Sequence, residues 1–358
     1  MISETFFNIF PTPQFLKPTI YGLDISDKSI KYVMLGKHKG KIILKEFGQV
    51  IIPDGLIEKG DIKKKEDLTI LLKDFSKKLK SKHVAVILPE EKAYMSKVTI
   101  PLMKKSEVRG SLELQLEENI PLSANEAVFD YDINQDKNHY DINLIAFSNK
   151  VVNDYRDVFI GSGFSPVSFE MEAHALARAL TPIDTINDGV KMIVDFGRTH
   201  TSFMVTVDGQ VRFSSTVRVS GKDIDSAIAS ILSIDILKAE EIKKEKGFAK
   251  TKENEKVYDA VLPIISAIKE EINRIFIFWS DRAEEHGEKR KKIDKIILSG
   301  GDSNLIGLPE FLSYEIKVPV EIANPWLNIL SFDEEIPNIT FRESLIYSTA
   351  LGLALRVI

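Results

Sequence analysis

At 358 residues, with 44% apolar and 28% charged side chains and a formal net charge of −5, the chain is long enough for two lobes with separate cores. Its mild acidity argues against a mainly nucleic-acid-binding role, and the absence of cysteine excludes disulfides and thiolate metal sites. No apolar run approaches the ~20 residues that span a bilayer, and the six histidines are scattered without ligand spacing, so a cytosolic protein with indirect membrane contact is expected.

The first residues are aromatic-rich (Phe6, Phe7, Phe10 and Phe15) but are interrupted by Pro11 and Pro13 and lack a basic start, so residues 1–18 read as a tail and not a signal peptide. Three strands follow at 21–25, 30–35 and 41–52, with turns at 26–29 and 36–40. Leu68, Leu71, Leu72, Phe75 and Leu79 recur at helical spacing, predicting a helix over 64–80. A short buried strand at 83–88 ends at Pro89. The pattern then changes. A strand at 93–100, an amphipathic helix at 104–119, a hairpin at 128–134 and 140–148 and a helix at 150–160 make a β-α-β-β-α run. It reads as an inserted interaction subdomain over 91–163. A strand at 164–170 and a helix at 172–180 return to the first lobe, which takes in 19–90 and 164–188, and residues 181–189 with Pro182 read as a hinge.

The second lobe, 189–358, repeats the opening theme without repeating its sequence. Strands are expected at 192–196, 201–207 and 211–219, with a tight Asp208-Gly209 turn. Helices at 223–232 and 239–246 and a long one after Glu255, with Ile265, Ile268, Ile272, Ile275 and Trp279 on one face, make a helical part over 223–290. Pro263 marks a first turn or a kink. The basic run at 288–292 reads as a solvated loop before a strand at 295–298.

Three segments carry candidate chemistry: GLDISDKSIKYV from Gly22, VDFGRTHTSFMV from Val194 and IILSGGDSNLIG from Ile296. Asp24 and Asp195 each end a buried strand, where a carboxylate is costly unless hydrogen-bonded or near a cation. Ser26, Asp27, Lys28 and Ser29 form a turn suited to holding phosphate through N–H and hydroxyl groups. Gly197 lets the backbone approach a ligand, and Thr199 and Thr201 offer hydroxyls. Gly300 and Gly301 are expected to open a helix whose N-terminus favours an anion. Two opposed carboxylates near a triphosphate suit Mg, which prefers oxygen ligands and keeps several waters.

With these segments, QLEENIPLSANEAVFDYDI from Gln115, FEMEAHALARAL from Phe169, KAEEIKKEKG from Lys238 and the closing ALGLALR from Ala350, the chain resembles the actin-like ATPase superfamily. Within it, the likeness is to the type IV pilus assembly PilM family, relatives of the division protein FtsA. The resemblance implies two lobes of ribonuclease H-like mixed sheet with helices, plus the inserted subdomain. It implies ATP or ADP with Mg between the lobes, with Asp24 and the 26–29 turn as the first phosphate loop. Asp195, Gly197, Thr199 and Thr201 would be the second loop. Gly300, Gly301 and Asp302 would stand at the adenosine motif, with Glu240 and Lys243 flanking ribose and adenine. Glu172, at the connection between lobes, would position a water. Ser26 stands where the family usually has Gly, and Asp302 where a third Gly is common, so nucleotide binding with weak or no hydrolysis is expected.

The partners implied are the N-terminal peptide of a PilN-like inner-membrane protein, lying in a groove by the inserted subdomain, the pilus motor ATPases, and a second copy of the chain. Recruitment to the inner face of the inner membrane would follow from the first. A GspL-like type II secretion component is disfavoured because no apolar span follows ALGLALRVI, and FtsA itself because no membrane-targeting helix does. A small-molecule kinase of the same fold is the enzymatic alternative.

Overall fold

The computed structural model describes residues 18–135, 138–183, 188–281, 291–333, 335–356 and 358. The expectations for the aromatic-rich tail, for Asp136 and Lys137 in the hairpin loop, and for parts of the hinge and of the basic run lie outside them.

The first lobe opens with an antiparallel meander of β1 (Ile20–Ile25), β2 (Ser29–His38) and β3 (Lys41–Ile51). A small hairpin pairs Ile57–Glu58 with Asp61–Ile62. Helix α1 (Lys65–Lys78) then lays Leu68, Leu72 and Phe75 on the sheet. Each such side chain contributes about 1.5–3 kcal/mol on full burial. Strand β4 (His83–Leu88) runs parallel to β1. The inserted unit comprises β5 (Tyr94–Pro101), α2 (Lys105–Leu114), β6 (Ala127–Gln135) and β7 (His139–Ser148), its sheet ordered β5-β7-β6 around Val108, Leu112, Ile142 and Leu144. The helix expected over 104–119 breaks at Gln115 and resumes for four residues.

Helix α3 (Asn149–Gly161) buries Tyr155, Val158 and Phe159 in the first-lobe core beside Leu68 and Phe75, not in the three-stranded unit. Strand β8 (Ser165–Met171) closes the first sheet, and α4 (Glu172–Leu180) follows directly. The second sheet is built from β9 (Val190–Phe196), β10 (Thr201–Val207) and β11 (Gln210–Val217). Helices α5 (Gly221–Leu232), α6 (Ile236–Lys246) and α7 (Glu255–Asp281) come next, Pro263 lying inside α7 rather than in its first turn. Strand β12 (Lys295–Ser299), α8 (Leu308–Ile316), β13 (Val320–Ile322) and α9 (Ser348–Arg356) complete the chain.

The two sheets share one plan. Their orders are β3-β2-β1-β4-β8 and β11-β10-β9-β12-β13, each an antiparallel meander extended by two parallel strands. The repeat expected from the order of elements is thus a repeat of topology. β1 and β9 are central and buried on both faces, which is why Ile193-Val194 and their neighbours read as continuous apolar runs and not as alternation. Helices α1 and α3 cover the outer face of the first sheet, and α5, α7 and α8 that of the second. Between the sheets lie α4 and α9. Ala173, Leu176 and Leu180 of α4 pack on Ile193, Met204 and Ile297, and α9 packs Ala350, Leu351 and Ala354 on Val33 and Leu35. The last helix, expected within the second lobe, therefore rests on the first sheet. Gly22 of β1 admits it, because a Cβ there would overlap the Ala350 carbonyl.

Candidate functional site

Asp24 and Asp195 are the penultimate residues of β1 and β9, the equivalent strands of the two sheets. Each is buried, as is Glu172 at the first position of α4 between them. Across the first hairpin the register sets Asp24 opposite Lys31, whose ammonium lies 3.2 Å from the Asp24 carboxylate. Asp195 has Ser202 opposite on one side and Ser299 of β12 on the other. The Ser202 hydroxyl donates to Glu172 Oε2 at 3.2 Å, and His200 Nε2 lies 3.6 Å from that same oxygen. Glu90 completes the cluster: it accepts from the Ala173 N–H at 2.9 Å and from the Ser214 hydroxyl.

The electrostatics follow from four buried carboxylates sharing two cations. Burial and the nearby Glu172 push Asp195 up to about 7, and the same two causes push Glu90 up to about 7. Burial alone would depress His200, but its bond to Glu172 outweighs that and raises it to about 9. Glu172 in turn is held below the ordinary glutamate range, burial being outweighed by His200 and Lys31. Lys31 is held protonated by Asp24 against the cost of its burial. Asp24 and Asp195 are thus short of positive charge, which a divalent cation would supply. No group of three or more His, Asp or Glu close enough to hold a metal directly occurs among the described residues.

Several predicted residues prove to be engaged within the protein. The Ser26 N–H donates to the Ser29 carbonyl at 2.9 Å, and the Ser29 N–H donates back to the Ser26 hydroxyl at 3.3 Å, so Ser26 closes its own turn. The Asp27 carboxylate turns away, accepting the N–H groups of Lys59 at 2.7 Å and Gly60 at 3.1 Å, and Lys28 pairs with Asp54 at 2.5 Å. In the second turn, the Gly197 N–H donates to the His200 carbonyl at 3.1 Å, and Thr199 Oγ1 lies 3.1 Å from His200 Nδ1. Thr201 is fully buried and donates its hydroxyl to the Val219 carbonyl at 2.5 Å, bracing the sheet. Gly300, at φ +87°, crosses so close to Phe196 that a Cβ would strike its carbonyl. Gly300 and Gly301 open a four-residue 3-10 turn and not the α-helix expected, which begins only at Leu308.

On the helical side, Glu240 accepts from Arg198 at 3.1 Å and from Lys244 at 2.8 Å. Lys243 is buried between Asp302 at 2.6 Å and Asp225 at 2.8 Å, which hold it protonated. The structure therefore brings Asp24, Glu172 and Asp195 together, with Glu240, Lys243, Gly300, Gly301 and Asp302 on the second-lobe flank. It leaves the side chains of Asp27, Lys28 and Thr201 to structural bonds. Sequence reasoning missed Lys31, Glu90 and His200. Lys31 had a signal: once a hairpin pairs Ile25 with Ile30, Asp24 must face Lys31.

A separate cavity of about 400 Å³ lies where the inserted unit meets both lobes. Asp132 and Asn143 line it from the inserted sheet, His174 and Arg178 from α4, and Asp208 from the β10–β11 turn. Among the described residues, no helix is long and apolar enough to cross a membrane.

Known proteins resemble this chain in sequence and in fold. FtsA from Buchnera aphidicola subsp. Acyrthosiphon pisum (strain APS) is 24% identical over 204 residues, 50% of this chain and 46% of its own. The chain thus spans less than half the length of that curated relative. A solved PilM–PilN type IV pilus biogenesis complex superimposes with a TM-score of 0.78 at 23% identity, covering 95% of this chain and 99% of that one. MreB 5 of Spiroplasma citri bound to AMPPNP gives 0.56 at 13% identity, covering 95% and 96%. The fold is therefore actin-like. The family described as type IV pilus assembly protein PilM matches residues 22–358, nearly the whole chain, and the chain belongs to that family.

Proposed function

We propose that this PilM-family protein is a nucleotide-binding scaffold of type IV pilus assembly, taking ATP or ADP with Mg between its lobes. One observation carries the reading. Two equivalent strands from sheets of the same topology present Asp24 and Asp195 to a common space, with Lys31 beside the first and Glu172 between them. The Mg that accompanies the nucleotide would offset the negative charge of Asp24 and Asp195 there. Lys31 would meet the phosphates, the turns at Gly197 and Gly300 would border them, and Glu240 and Lys243 would flank the sugar and base. Mg chemistry would be limited to charge neutralisation through water. Glu172 is bound to His200 and Ser202, which favours a ligand held over a ligand cleaved.

In this reading the partner is the cytoplasmic N-terminal peptide of a PilN-like inner-membrane protein, which would recruit the chain to the inner face of that membrane. The cavity bordered by Asp132, Asn143, His174 and Arg178 is the groove that suits such a peptide, since it adjoins the inserted unit. Association with pilus motor ATPases and with a second copy belongs to the same scaffold role. The test is titration calorimetry of the full chain with a PilN-like N-terminal peptide, with and without Mg·ATP. Micromolar peptide binding and uptake of Mg·ATP are expected. No peptide binding in either arm removes the recruitment reading, and sustained phosphorylation of a sugar or carboxylic acid would favour a kinase instead.

A further inference from the structure

Asp302 fills part of the second-lobe flank from within the chain. Strand β12 ends at Ser299, Gly300 carries the backbone across Phe196, and Asp302 follows in the 3-10 turn. Its Oδ1 takes the Lys243 ammonium at 2.6 Å; Asp225 Oδ1 takes it at 2.8 Å and the Gly221 carbonyl at 3.3 Å. Lys243, only 6% exposed, donates to Asp302 and to the Gly221 carbonyl and has Asp225 beside it as an ion pair, so with the flank closed its ammonium faces the chain and not a ligand. Gly221 opens α5, and its N–H donates to the Gly197 carbonyl at 3.0 Å, which joins this cluster to the second turn. A Cβ at Gly221 would overlap the Asp302 carboxylate, so that group presses directly on the Gly221 α-carbon.

In formal charge, one of the two carboxylates on Lys243 is surplus. Asp225 is fully buried and alone balances Lys243, whereas adding Asp302 leaves one net negative charge and a further desolvation cost. Arg198 does not cancel it by contact, its guanidinium being bonded to Glu240 at 3.1 Å.

Resting on the nucleotide reading above, we infer that Asp302 is the residue that sets nucleotide affinity, its carboxylate occupying Lys243 and the Gly221 surface until a nucleotide displaces it. The apparent dissociation constant is the intrinsic one divided by the fraction of time the flank is open, and the anionic ligand also meets an anionic side chain. Asp302→Gly opens the flank while leaving Lys243 its ion pair with Asp225 and its bond to the Gly221 carbonyl. Asp302→Asn keeps the shape and removes the charge.

Calorimetric titration of Mg·ATP and Mg·ADP into the full-length wild type and both variants tests this, with thermal melts as the folding control. For Asp302→Gly the dissociation constant should fall at least tenfold, about 1.4 kcal/mol, with Asp302→Asn moving in the same direction by less. Equal or weaker binding by a cooperatively melting Asp302→Gly protein, beside a wild type that does bind, overturns the inference alone. If Asp302→Gly does not melt cooperatively, Asp302→Asn decides by the same criterion. If neither wild type nor variants take up nucleotide at millimolar concentration while melting cooperatively, the nucleotide reading fails and the inference with it.

Discussion

His200 Nε2 and Glu172 Oε2 stand 3.6 Å apart and join the turn after β9 to the first residue of the helix between the lobes. His200 immediately precedes β10 of the second sheet, and Glu172 follows β8 of the first without a break. The pair therefore spans the junction on which the candidate site depends.

The contribution of this pair should vary with pH in a fixed direction. His200 is raised from 6.5 to about 9 in the folded chain. A histidine shifted upward stabilises fully below its unfolded value, and that stabilisation is lost as pH rises through the folded value. The melting midpoint of the wild type should exceed that of His200→Gln near pH 6, by on the order of 2 kcal/mol equivalent, and the gap should close toward pH 9.5. A gap constant across that range would show that His200 acts by packing alone.

Asp195 works against the fold it serves. It is raised from 3.8 to about 7, first by burial and then by Glu172, so its ionisation costs stability that declines as pH rises from about 4 through 7. Asp195→Asn should therefore melt higher than wild type at pH 8, by about 1 kcal/mol or more, and lose Mg-dependent nucleotide binding. The advantage should shrink toward pH 4. A variant less stable at pH 8 would mean that the carboxylate is better compensated than its neighbours imply.

Asp27 separates a structural from a ligand-binding role. Its two backbone N–H bonds to Lys59 and Gly60 tie the first turn to the small hairpin. Asp27→Ala should cost about 1–3 kcal/mol in denaturant unfolding and change Mg·ATP affinity less than threefold. A large affinity loss without a stability loss would return Asp27 to the phosphate loop.

The fold was legible where signals are local. The Asp-containing turns, the hairpins and the helix 172–180 follow from alternation, apolar spacing and turn residues, and the helix bounds agree with those observed. What escaped depends on contacts between distant residues. Nothing near Lys243 announces that its partner is Asp302, 59 residues on. Likewise Tyr155 and Phe159 have a helical spacing that fits either the inserted unit or the first lobe, and only packing against Leu68 and Phe75 chooses. His200 looked isolated because Glu172, its partner, lies across the lobe boundary. Period and turn chemistry position strand ends; they do not say which side chains from other elements arrive there.

The closing ALGLALR segment offers the sharpest test of how the lobes are held. A Cβ on Gly352 of α9 would run into the Ala175 carbonyl of α4, so the two helices cross with backbone against backbone. Beside that crossing, Arg178 donates to the Gly352 carbonyl at 2.7 Å and to Glu170 at 2.9 Å, and Arg356 also reaches Glu170. Gly352→Ala must push α9 away from α4, stretching the first bond and loosening the buried Glu170 pairs. Overpacking of this kind costs about 1–3 kcal/mol, and the loss should appear in the unfolding midpoint. Because α4 also carries Glu172, nucleotide affinity should fall together with stability, whereas Gly110→Ala, inside α2 with open space around it, should leave affinity unchanged and raise stability by about 0.5–1 kcal/mol. If Gly352→Ala is as stable as wild type, the helices have room that this crossing denies, and α9 does not hold α4 in place.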